Sequence, residues 1–191
     1  MARPVAHNLG WLGLLLCLVP ATASAEDVEA LRGKLFLKIL TYDSAFPSAS
    51  STVRVGFVYP ARASADAPVV ATRAMLSMLA STTSIKGKPI QIVELPFTEA
   101  TGLAAQAAAN GVFVFYVSSA CTQEEVGLVA EATVTGQIVA FSEDPRHVPL
   151  GLCCAVDVKA GRPEIQMNPE AIKRTGHKFD NALIALSKII K

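Results

Sequence analysis

Few residues in this chain are suited to reactive chemistry. Among 191 residues there are three histidines, four cysteines, one tryptophan and three tyrosines, and only 17% of positions are charged. The 17 basic and 16 acidic residues nearly cancel, and no Lys/Arg block is longer than two. A nucleic-acid surface needs a basic stripe or patch, so no nucleic-acid partner is expected. The sequence has no G-x-S-x-G elbow, which disfavours an α/β-hydrolase. It also lacks G-x-x-x-x-G-K-[ST] and G-x-G-x-x-G, which disfavours nucleotide and dinucleotide cradles. No cofactor is expected. Apolar residues make up 51% of the chain, too many for intrinsic disorder. The length fits one domain.

Only the extreme N-terminus is apolar enough to enter a membrane. Arg3 supplies a short positive region, Leu9 to Val19 an apolar run, Pro20 a break, and Ala23-Ser24-Ala25 a small-residue cleavage motif. The run is short for a membrane span, which needs about 20 apolar residues. Residues 1–25 therefore read as a signal peptide cleaved after Ala25, and residues 26–191 as the mature domain. Cys17 follows Leu16 inside the run and does not fit a lipobox. The mature chain should be periplasmic, with no stable membrane insertion after cleavage.

Export bears on the cysteines. Cys121, Cys153 and Cys154 remain after cleavage. In an oxidising compartment Cys121 could bridge to Cys153 or Cys154, leaving one thiol over. The alternative is three small buried side chains. The C-x2-C spacing of zinc ribbons is missing, so no metal site is expected. His147 and His177 lie far apart without a metal-binding spacing and read as surface or hydrogen-bonding residues. A Cys121/His147 nucleophile pair is disfavoured by export, and no catalytic residue is assigned.

Apolar residues recur at helical spacing over 28–41, 67–83, 98–109 and 122–135. Thr98 is a candidate cap, and Thr122 with Glu125 forms a capping box. Strands are expected at 53–59, 90–95 (stopped by Pro96), 112–117 and 137–141. Their alternation with helices implies βαβ units and a parallel sheet with right-handed crossovers. Residues 150–158 and 162–168 read as an antiparallel hairpin. Pro169 then starts a helical turn, and a final helix is expected from about Phe179 to Ile190 on its one-sided apolar stripe. The expected architecture is a single α/β three-layer sandwich, a mainly parallel sheet of about six strands flanked by helices.

Open parallel sheets bind ligands beyond the carboxyl ends of their strands. Those ends carry Tyr59, Thr98, Ser118, Ser119, Ser142, Glu143 and Asp144, which are the candidate ligand-binding residues. The same hydroxyls and carboxylates also suit caps and turns.

Three stretches together resemble the YfiR family of bacterial periplasmic proteins. They are Lys34 to Asp43, Val53 to Tyr59, and Gly161-Arg162-Pro163-Glu164-Ile165-Gln166-Met167-Asn168 continuing through Ala171, Gly176 and Phe179 to Leu183 and Leu186. The resemblance spans about residues 30–190. It implies an exported protein with a mainly parallel sheet flanked by helices. It implies repression of an inner-membrane diguanylate cyclase through contact with its periplasmic sensor region, lowering cyclic-di-GMP and biofilm formation. Some members are dimers, so a homodimer is open, and some respond to disulfide state. Two departures stand out. Three mature cysteines cannot form the two disulfides of the characterised branch, and Asn110-Gly111 lacks the cysteine often found there.

The leading expectation is thus a regulatory protein that binds an inner-membrane sensor protein, a diguanylate cyclase or a histidine kinase. The alternative is a periplasmic small-solute sensor without catalytic activity.

Overall fold

The computed structural model describes residues 25–47, 50–98, 102–159 and 162–191. The leader expected at residues 1–25 lies outside this set except for Ala25.

Helix α1 (Ala25–Leu40) precedes strand β1 (Val53–Pro60) and helix α2 (Ala67–Thr82). Strands β2 (Ser84–Ile85) and β3 (Lys88–Phe97) lead into α3 (Leu103–Ala109), β4 (Val114–Val117), α4 (Gln123–Gly136) and β5 (Val139–Ser142). The remainder is β6 (Cys154–Lys159), β7 (Arg162–Met167), α5 (Pro169–Arg174), α6 (Asn181–Ala185) and β8 (Lys188–Ile189). The sheet order is β2-β3-β1-β4-β5-β6-β7-β8, with β3, β1, β4, β5 and β6 mutually parallel and β6–β7 antiparallel.

The α/β class, the parallel sheet and the C-terminal hairpin are as expected, but the strands number eight among the described residues rather than about six. Three local expectations are corrected. First, β3 runs through Pro89 and Pro96 instead of stopping. Beyond the two-residue β2, its outer edge has no strand partner among the described residues, so a missing N–H on that side breaks no ladder. Second, α3 opens at Leu103 with Gly102 at its N-cap, and Thr98 lies exposed beyond the end of β3. Third, the final helix ends at Ala185, because Lys188 and Ile189 pair with Gln166 and Met167 along the edge of β7. There the backbone gains ladder bonds, among them Ile190 N–H to the Met167 carbonyl at 2.8 Å.

Strand alternation divides the core in two. On β4, Val114 and Tyr116 face the layer holding Phe36, Phe57, Leu76 and Phe141, while Phe115 and Val117 face Val126, Val129 and Leu152. All four β4 residues are buried, as a central strand covered on both faces requires. Helices α1 and α2 approach closely at Gly33. A Cβ there would lie 2.5 Å from Met75 Sδ and 2.6 Å from Leu79 Cδ1.

Candidate functional site

Among the parallel strands the order reverses between β1 and β4, which leaves a crevice at their carboxyl ends. The chain fills this crevice with its own polar groups. The Ser118 N–H donates to the Val58 carbonyl at 2.9 Å, and Glu143 N–H donates to the Val117 carbonyl at 3.2 Å, so the loops after β4 and β5 continue the ladder inward. The Glu143 carboxylate then turns back over the strand ends. It accepts the Thr72 hydroxyl from α2 and the Ser119 N–H at 2.8 Å. Burial pushes the Glu143 carboxyl above its ordinary value. Those two hydrogen bonds pull against the shift, and the charge of Glu29 adds to it.

Ser142, Asp144 and His147 form a second group. Ser142 Oγ lies 2.8 Å from His147 Nδ1 and accepts the Asp144 N–H at 3.1 Å. Asp144 caps the following 3-10 turn (residues 145–147) and pairs with Arg146 at 2.6 Å. Burial raises the Asp144 carboxyl, but the Arg146 hydrogen bonds outweigh it and hold the group below its usual range. Burial also lowers the His147 imidazole. A Ser/His/Asp set is therefore present by residue type. Its serine is wholly buried, and its Asp–His separation of 3.9 Å is beyond hydrogen-bond range. The set braces a turn.

Tyr59 sits apart from both groups. Its hydroxyl donates to Glu94 at 2.6 Å, and Arg73 binds the other oxygen of Glu94 at 2.6 Å. The structure thus brings Ser118, Ser119, Ser142, Glu143 and Asp144 to adjoining strand ends, leaves Tyr59 on the β1–β3 side, and leaves Thr98 outside.

Cys121, Cys153 and Cys154 are free and buried. Cys121 packs in the layer beneath α3 and α4, while Cys153 and Cys154 pack in the layer beneath α1. The bridge expected from Cys121 to either of them is therefore not formed, since the sheet separates the two layers. Burial pushes the Cys121 thiol up to about 12, the Cys153 thiol up to about 11, and the Cys154 thiol well above its ordinary value.

His177 lies at the other end of the sheet. Its Nδ1 is 2.5 Å from Asp43 Oδ2, and its Nε2 donates to the Gln137 carbonyl at 3.1 Å. The ring clamps the loop after α1 to the turn before β5.

Sequence reasoning missed Thr72, Arg73 and Glu94 as partners at the strand ends. One signal was readable. Arg73 is the single charged residue in the 16 residues of α2, so it had to reach a specific acid or stand alone.

No family model matches the chain, and no curated protein matches it. Among solved structures, the chain is similar to the ABC domain in complex with L-Trp from Streptococcus pneumonia, with TM-score 0.59 and 7% identity over 84% of this chain and 62% of that one. A conserved domain protein from Vibrio cholerae gives TM-score 0.56 and 15% identity over 85% and 60%. A substrate binding protein with adhesive properties from Clostridium difficile, in its ligand-free, open structure, gives 0.60 and 12% over 88% and 60%. The chain thus spans about three fifths of the length of these structures. At such identities the likeness is one of fold.

Proposed function

We propose that the chain is an exported regulatory protein of YfiR type. It represses an inner-membrane signalling protein, a diguanylate cyclase or a histidine kinase, by contact with that protein's periplasmic region and without catalysis of its own. The observation that carries this reading is the outer face of α2. Val70, Ala71, Ala74, Ser77 and Met78 form a continuous exposed strip without a charge, and Val70 and Met78 are each 47% exposed. The helix's one charge, Arg73, turns away to Glu94. An uncharged apolar strip on an otherwise polar surface suits burial against a protein partner. Binding one state of the partner more tightly than the other shifts its population by that difference in affinity. No helix among the described residues is long and apolar enough to cross a membrane.

The test is cyclic-di-GMP in the native host. Deleting the gene should raise it, and an exported wild-type copy should restore it. A copy carrying Val70→Asp and Met78→Asp should not, although it folds and is exported. Restoration by the double variant would overturn the assignment of α2.

A second reading is a small-solute sensor. It is supported by the fold shared with a substrate binding protein and with a domain solved in complex with L-Trp. Its site would lie at the strand ends, and the two readings coexist if the solute tunes partner affinity.

A further inference from the structure

We propose that a cleft between α5 and α6 binds a small amphipathic anion, an aliphatic chain that ends in a carboxylate or a phosphate. The site needs neither the outer strip of α2 nor the strand-end crevice. It lies at the opposite end of the sheet from that crevice. Met167 in its floor pairs with Cys154, the first residue of β6, and Ile189 in its wall pairs with Met167.

The cleft has a volume of about 400 Å³. That falls within the ~300–1,000 Å³ common for small-molecule sites. Its floor is Met167, Ile172 and Phe179, all buried, and Ile184 and Ile189 stand partly open at its side. The His177 ring also lines it, but Asp43 holds Nδ1 and the Gln137 carbonyl holds Nε2. The imidazole therefore offers the cleft a ring surface and no spare donor. Such a lining takes an apolar body. Ile189 is 43% exposed, and an aliphatic tail in the cleft removes that surface from water.

The rim selects the head. Lys173, Lys178 and Asn181 are exposed and line the same cleft. Among the described residues neither ammonium has an ion pair, and the Asn181 amide makes no hydrogen bond. Elsewhere Arg62, Arg73, Arg146, Lys159 and Lys188 each hold a carboxylate. No acidic residue lines the cleft. Residues 170–191, which form most of it, hold five basic and two acidic residues, in a chain whose 17 basic and 16 acidic residues nearly cancel. An anionic head thus meets two unpaired charges and an amide donor, while a cationic head meets no acid. The lysine stems can lie along the apolar wall while their ammonium groups reach the head.

The experiment is calorimetric titration of the full exported chain with octanoate and with octyl phosphate, each below its micellar concentration. The expected result is saturable binding of at least one of them, and the tighter of the two identifies the head. Octyltrimethylammonium has the same tail with the opposite charge, and acetate has the carboxylate without the tail. Both should bind at least tenfold more weakly. Lys173→Gln with Lys178→Gln should weaken the anion about tenfold or more, as loss of charge-assisted contacts would. Ile189→Asp should do the same by placing a carboxylate in the wall. All three positions are exposed, so these variants should fold. Binding of neither octyl anion would overturn the proposal. Equal binding of octyltrimethylammonium would leave only an apolar surface, equal binding of acetate only a surface charge, and either result would overturn it as well. Partner capture measured without any added anion reports on the regulatory reading separately.

Discussion

The Ser119 N–H donates to the Glu143 carboxylate at 2.8 Å, joining the loop after β4 to the end of β5. With the Thr72 hydroxyl on its other oxygen, Glu143 ties α2 to two neighbouring strands at the point where a doubly wound sheet usually leaves room for a ligand.

That placement has a pH signature. The native Glu143 carboxyl holds its proton to higher pH than the ordinary 4.5, chiefly through burial. Between the two values the native state binds more protons than the unfolded chain, so stability falls as pH rises through that window. Glu143→Gln keeps an acceptor for the Ser119 N–H, turns its amide N–H toward the Thr72 hydroxyl oxygen, and removes the ionisation. Urea unfolding from pH 4 to pH 8 should show a smaller decline for the variant than for the wild type. Parallel profiles would mean that Glu143 titrates as an ordinary carboxyl.

The Asp43–His177 pair predicts a large loss. Both side chains are buried, and together they hold the loop after α1, the turn before β5 and the segment entering α6. Removing one member of a buried hydrogen-bonded pair costs about 3–5 kcal/mol. Asp43→Ala and His177→Ala should each lower the urea midpoint accordingly. The double variant should lose much less than the sum, which a double-mutant cycle checks.

Asn168 predicts a smaller one. Its side chain accepts the Ala171 N–H at 3.0 Å, capping α5, and donates to the Val148 carbonyl at 3.2 Å. Asn168→Ala should cost about 1–2 kcal/mol. Asn168→Asp should keep the cap and lose the donor, so it should fall between the two in chemical unfolding.

The thiols should be silent while the chain is folded. Cys121 at about 12 and Cys153 at about 11 carry almost no thiolate near neutral pH, and all three side chains are buried. A thiol reagent should label none of them in the native protein and all three in urea. Fast native labelling of Cys121 would show that the α3–α4 layer opens readily.

How far the sequence disclosed this structure depended on whether a signal was local. The apolar run at Val112–Val117 and the Thr122–Glu125 capping box are properties of neighbours; the box appears as expected, and the run forms a strand over its last four residues, Val114–Val117. The C-terminal stripe through Leu183, Leu186 and Ile189 also has helical period. Its last residues became β8 instead, because the free edge of β7 offered backbone partners that periodicity does not register. The strand-end residues Ser118, Ser119, Ser142, Glu143 and Asp144 followed from sheet logic alone. Their partner Thr72 on α2 did not, since which helix face meets a strand end is decided by packing across the chain.

The most direct test of the central claim is capture through α2. A photo-crosslinking side chain at Ala74, in an exported tagged copy expressed in the native host, should join the protein to a diguanylate cyclase or a histidine kinase of the inner membrane. Val70→Asp with Met78→Asp should abolish that product. Recovery of only the protein itself, with export confirmed, would contradict the account.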